Sequence, residues 1–192
     1  MHPWCKTLRT KVRQAWQDRH GLAFVEFGLA LPLLMTLFYG AIELTRYILI
    51  AQKVEKMAHT MADVTAQYPT VSVASLNQVM VAASDIMRPF SMSTNGRIMV
   101  SSLYRAPGEA TAVVNWRYEG GGTLVETSRL GTVGATPVVP GGFVFEEREN
   151  VIGAEVFYRF SPLISSQFFG TTTVYRTAFY KPRLGALLNA PT

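Results

Sequence analysis

The chain has 192 residues, 48% of them hydrophobic, which suits one domain with a sizeable core and leaves too little for two large ones. Its formal net charge of +5 would point to nucleic acid if spread over a folded surface, but residues 1–21 carry +4 of it, as Lys6, Arg9, Lys11, Arg13 and Arg19 against Asp18. The remainder is almost neutral, so no nucleic-acid partner is expected. Cys5, the single cysteine, lies in that basic segment with His2 and His20, and His59 stands alone in the rest. Disulfides, thiolate or multi-histidine zinc sites, cysteine nucleophiles and His-based triads are thereby excluded from the body of the protein, and neither a cofactor nor a small-molecule substrate is expected.

After the basic segment, residues 22–42 read LAFVEFGLALPLLMTLFYGAI. As a helix they span about 31 Å, close to the roughly 30 Å of a bilayer core. One residue interrupts the apolar run. Glu26, near its N-terminal end, would cost on the order of 2.5–3.5 kcal/mol as a carboxylate in hydrocarbon, so it calls for a partner. Five basic residues precede the run, whereas Arg46, Lys53 and Lys56 beyond it are mixed with Glu43 and Glu55. That bias places the N-terminus in the cytoplasm and the bulk of the chain across the membrane. A cleavable secretory signal is disfavoured, because the run is too long, no small-x-small site closes it, and the helical pattern continues past its end.

The junction itself has a pattern: a basic leader ending in Gly21, then Leu22, Ala23, Phe24, Val25, Glu26 and Phe27. It is similar to the type IV pilin signal, in which a prepilin peptidase cuts after the glycine and leaves a glutamate fifth in the mature chain. The longer string from Gly21 through Phe27, Gly28, Leu29, Ala30, Leu31 and Pro32 resembles more narrowly the TadE/TadG-like proteins of tight-adherence (Tad) pilus systems. In that family a Val-Glu-Phe-Ala core leads into a leucine-rich, proline-containing helix. The resemblance implies a pilin-like fold, Gly21 and Leu22 as processing residues, and Glu26, Phe27 and Pro32 as assembly residues. It also implies a prepilin peptidase, other pilins and a pilus-assembly platform as partners beside the lipid bilayer.

The residues give this chemistry a basis of their own. Gly21 presents no side chain to hinder a peptidase. Cleavage after it would create an α-amine on Leu22, one helical turn from Glu26, so the carboxylate could pair with its own amine or a neighbouring subunit's. Pro32 removes one backbone hydrogen bond and is expected to bend the helix.

Beyond residue 42 the helical spacing continues through Tyr47, Ala51, Val54, Ala58, Met61 and Thr65, a seam for the protein's own domain or for sister helices. His59 reads as a solvated residue of that helix. Tyr68-Pro69 ends a helix of about 45 residues, nearly 70 Å. A second helix is expected with Ser75 as N-cap and Gln78 completing a capping box, running through Leu76, Val79, Met80, Ala83, Ile86 and Met87 to Arg88-Pro89. Four strands follow, at residues 97–104, 112–118, 151–160 and 171–180, forming a small antiparallel sheet.

Three later features have plain readings. Gly120-Gly121-Gly122 lacks a following Lys-Ser/Thr and reads as a hairpin or flexible turn. Glu146, Glu147 and Glu149 read as a solvated charge cluster, lacking the alternating acids of a calcium loop. Phe157, Tyr158, Phe160, Phe168, Phe169, Tyr175, Phe179 and Tyr180 read mostly as sheet core, with a minority left for a surface that meets partner subunits. Residues 131–142, with Pro137 and Pro140, are the expected variable surface for an adhesive or partner-specific patch.

The expected architecture is α+β: a leader at 1–21, a transmembrane part at 22–42, its helical continuation at 43–68 and a periplasmic α+β domain at 69–192. The expected function is that of a TadE-like minor pilin or pseudopilin, held in the inner membrane and needed to assemble a Tad-type pilus for surface attachment. The alternative is an uncleaved, membrane-anchored scaffold of the same machinery. An enzyme would need a carboxylate-only site such as Glu146 with Glu155, and none is expected.

Overall fold

A computed structural model describes residues 19–163 and 170–192. Cys5 and the basic residues from Lys6 to Arg13 lie outside the described residues, as do Phe168 and Phe169. The chain forms two compact units, Met1–Thr45 and Arg46–Thr192. Helix α1 (Arg19–Ala66) supplies the described part of the first and opens the second.

In the second unit, α1 buries Ile50, Val54, Met57, Ala58, Met61, Ala62, Thr65 and Ala66. Their steps of three and four residues make one apolar stripe, wider than the expected seam because Ile50, Met57, Ala62 and Ala66 join it. The stripe packs on this chain's own sheet. Tyr47, at its start, stays partly exposed with its ring edge-on to Phe160 at 5.5 Å.

Helix α2 (Val73–Ser84) buries Leu76, Val79, Met80 and Ala83, the last three on the same core. Its N-cap is Ser72 rather than Ser75: the Ser72 hydroxyl accepts from the Ser75 amide at 3.2 Å, and the Ser75 hydroxyl accepts from the Ser72 amide at 3.0 Å. Starting one turn earlier lets the two serines satisfy each other, which Ser75 with Gln78 does not do. A 3-10 turn, Asp85–Met87, follows, and the Lys53 ammonium donates to the Ile86 carbonyl at 2.8 Å.

The sheet contains β1 (Gly96–Tyr104), β2 (Val113–Gly120), β3 (Asn150–Phe160) and β4 (Thr172–Tyr180) in the order β2-β1-β3-β4, every pair antiparallel. Ile98, Val100, Ile152, Ala154, Val156, Val174 and Ala178 join the core with the helices. The opposite face is covered too, because the connection from β2 to β3 folds over it, placing Leu124 against Met99 and Phe157, and Phe145 against Leu103 and Val151. Hence β3 is buried along its length except at Arg159, and its composition is almost continuously apolar.

The triple glycine is neither a hairpin nor a flexible turn. β1 and β2 join through residues 105–112, while β2 and β3 are not neighbours. Gly121 adopts φ 72°, and a Cβ on Gly122 would lie 2.2 Å from the Gly96 carbonyl oxygen, so close backbone approach is what requires glycine here. Residues 131–142 are mostly exposed, but the segment is tied down: the Val114 amide donates to Ala135 at 2.9 Å and the Gly134 amide to Val114 at 2.8 Å. It shields part of the β2 edge.

The acidic cluster divides. Glu146 and Glu147 are exposed, whereas the Glu149 carboxylate is largely covered, lies 2.6 Å from the Lys181 ammonium and accepts from the Glu146 amide at 2.6 Å. Burial pushes the Glu149 pKa up, but the hydrogen bonds from Lys181 and Glu146 and the Lys181 charge outweigh it and hold the group below its usual 4.5. Lys181 is held above its usual 10.5, chiefly by the same hydrogen bond. The carboxylate's contribution is therefore fully present above the ordinary carboxylate pKa and is lost as pH falls through the lowered value. Glu149→Gln is expected to reduce stability at neutral pH and to converge with the parent chain as pH falls through the lowered carboxylate pKa, as measured by thermal melts across pH.

Candidate functional site

Along residues 21–42 the helix is apolar on every side. Its strongest 18-residue window has a mean hydropathy of 1.9 and none of it is buried, with Phe24 80% and Leu29 77% exposed. A helix that presents such a surface in all directions finds no core of its own to cover it. The threonine hydroxyls on and just past this stretch are satisfied internally, since Thr36 donates to the Pro32 carbonyl and Thr45 to the Ala41 carbonyl, each at 2.8 Å. One long apolar N-terminal helix of this kind fits a membrane anchor.

The expected site residues all fall on this helix. Gly21 and Leu22 lie in helical backbone that runs on from Arg19, and the helix brings Leu22 and Glu26 onto one face, four residues apart. Glu26 is exposed and is the only acidic or basic side chain in residues 21–42. Among the described residues it has no ion-pair partner. Phe27 is 58% exposed. Pro32 sits inside the helix, where its missing N–H denies the Gly28 carbonyl its usual bond. A Cβ added at Gly21, Gly28 or Gly40 would meet nothing within 4 Å.

The arrangement offers a carboxylate in an apolar surface, one turn from the place where cleavage would generate an amine. Residues 21–63 match the family model for TadE-like proteins. This agrees with the resemblance read from the junction residues. The TadE-like match begins at Gly21, the last residue of the expected leader, and takes in both the apolar helix and most of its packed continuation. It covers less than a quarter of the chain, so the sheet domain lies almost wholly outside it. No curated protein and no solved structure matches the chain.

In the second unit the two carboxylates of the enzyme alternative have different surroundings. Glu146 is exposed. Glu155 is fully buried in the middle of β3, where it accepts from the Ser128 hydroxyl, from the Arg129 amide at 2.8 Å and from the Tyr175 hydroxyl at 3.0 Å. The Arg129 guanidinium covers the Tyr175 ring at 4.3 Å. Burial, and then the Glu155 charge and hydrogen bond, push the Tyr175 phenol well above its usual pKa of 10. Every oxygen of Glu155 has a donor, so the cluster fastens the β2–β3 connection to the sheet. The sequence did hold a signal for it, a glutamate between Ala154 and Val156 in an otherwise apolar strand. His59 is exposed and sets its ring edge-on to Tyr180, as a helix-surface residue does. Among the described residues no group of three or more His, Cys, Asp or Glu side chains is placed to hold a metal ion.

Proposed function

We propose that this protein is a TadE-like minor pilin or pseudopilin of a Tad-type pilus system, anchored in the inner membrane with its N-terminus in the cytoplasm and its sheet domain in the periplasm. The observation that carries the reading is the family match that starts at Gly21, on a helix whose apolar stretch holds one charge, Glu26. In this reading a prepilin peptidase cuts between Gly21 and Leu22, and the new Leu22 amine and Glu26 pair within or between subunits. A charge too costly for hydrocarbon alone then becomes the register mark by which subunits add to the assembly. Phe27 and the leucines supply the apolar contact, Pro32 sets the bend, and the sheet domain meets other pilins, platform proteins or the attachment surface.

A second reading, an uncleaved scaffold of the same machinery, is supported by the helical backbone at Gly21, which holds the scissile peptide in a conformation that a peptidase must first unwind. N-terminal sequencing and intact mass of protein purified from its native membranes separate the two. Under the first reading the mature chain begins at Leu22, and a bulky substitution at Gly21 leaves the full-length form to accumulate. A retained leader, with Gly21 variants unchanged in size and function, would install the scaffold in its place.

A further inference from the structure

Past β4, the segment 185–192 returns to the sheet and is held there chiefly through Leu187, while at its far end the Val73 amide donates to the Thr192 carbonyl at 3.2 Å. Leu187 is 4% exposed, whereas Gly185, Ala186, Leu188, Asn189 and Ala190 are all exposed. Its amide donates to the Asn150 side-chain oxygen at 2.8 Å. Its carbonyl accepts from the Ser102 hydroxyl at 2.9 Å and from the Trp116 indole N–H at 2.8 Å. The Asn115 side-chain amide donates to the next carbonyl, that of Leu188.

The receiving groups are built into the fold. Ser102, Trp116 and Asn150 are 0%, 3% and 7% exposed, and the Asn150 amide donates to Ser102 at 2.8 Å and to the Leu103 carbonyl at 2.9 Å. Three buried side chains on three strands thus read both backbone groups of one residue, and an apolar recess takes its side chain. This is how a protein recognises an extended peptide: main-chain hydrogen bonds set the register and one pocket sets the side chain.

The occupant is held less securely than the seat. Only one of its side chains is buried, and a cleft of about 740 Å³ lies alongside, lined by Pro69, Val71 and the segment itself. Release requires only a local opening, not loss of the core. An empty seat, however, leaves the Trp116 N–H, the Ser102 O–H and the Asn150 oxygen without partners in an apolar recess, so refilling is strongly favoured.

We propose that this seat is a peptide-recognition site and that it accepts segment 185–192 of a second copy of this chain in exchange for its own. A second copy carries the one sequence already fitted to the site, and exchange of an identical element replaces each lost contact with the same contact. The exchange does not depend on whether Gly21 is cleaved.

Two measurements on the full chain in detergent test it. In the first, a fluorescent peptide with the sequence of residues 185–192 is titrated into the Leu187→Ala chain, whose own segment is a weak competitor. Saturable binding is expected, with apparent affinity higher than for the parent chain, and at least about tenfold weaker binding for a peptide whose leucine corresponding to Leu187 is alanine. A folded Leu187→Ala chain that binds neither peptide, or both equally, overturns the recognition site. The second measurement needs no weakened segment. Two differently tagged populations, one Asn115→Cys and one Leu188→Cys, each with Cys5→Ser, are mixed and oxidised. A mixed disulfide between the tags is expected; its absence, with both cysteines reactive towards a maleimide, overturns exchange between copies.

Discussion

Glu26→Ala is expected to leave this protein inserted in the membrane at normal or higher level and to abolish pilus assembly. Insertion improves because the variant no longer carries a carboxylate into hydrocarbon, a relief of about 2.5–3.5 kcal/mol. Assembly suffers because an amine at Leu22, once formed, would lose its counter-charge. Breaking a buried ion pair by removing one partner costs about 3–5 kcal/mol, which is roughly a hundredfold to several thousandfold in each docking equilibrium. A polymer that repeats this step at every subunit does not survive such a factor. Glu26→Gln separates charge from shape, and the same loss is expected from it. Immunoblots of membrane and sheared-surface fractions, with electron microscopy for filaments, read both effects. Normal piliation in Glu26→Ala cells would remove the pairing from the mechanism, and failure of the variant to insert would show that the residue acts before assembly.

Glu26 was legible in the sequence because a carboxylate inside an apolar run is anomalous without any knowledge of the fold. The same holds for α1, whose periodicity is a local property, and for the four strands, whose richness in Val, Thr, Phe and Tyr is another: the expected strand at residues 151–160 and the observed Asn150–Phe160 differ by one residue. What local pattern could not resolve were choices between equivalent neighbours. Ser72 and Ser75 are both good caps, and only the hydrogen-bond pair between them selects Ser72. Least legible were contacts between distant parts of the chain. Ser102 reaches Leu187 across 85 positions and Trp116 reaches it across 71, and neither residue type in a strand signals a peptide seat. Gly21 is a different case. Its missing side chain marked it as a cleavage point, yet the helix runs through it, because glycine's low propensity is a modest penalty beside the apolar residues that follow.

The buried Glu155 cluster carries the second large effect. Glu155→Ala is expected to destabilise the sheet domain by about 3–5 kcal/mol, because the Ser128 hydroxyl, the Arg129 amide and the Tyr175 hydroxyl lose their shared acceptor together and a cavity opens beneath them. Against a typical total stability of about 5–15 kcal/mol, that is a large share. Glu155→Gln should lose only about 1–2 kcal/mol, since its amide oxygen still accepts from Arg129 and Tyr175 while its NH2 group donates to Ser128. Denaturant unfolding of the full chain in detergent, followed by near-UV circular dichroism, gives both values. A Glu155→Ala chain within about 1 kcal/mol of the parent would show that water replaces the carboxylate without penalty and that the cluster does not hold the β2–β3 connection. An independent reading comes from Tyr175. Its phenol is pushed up first by burial and then by the Glu155 charge and hydrogen bond, so its pKa should fall when Glu155 becomes alanine. If an ultraviolet titration shows that the ionisation of Tyr175 does not move, the stability loss would have to come from the cavity alone.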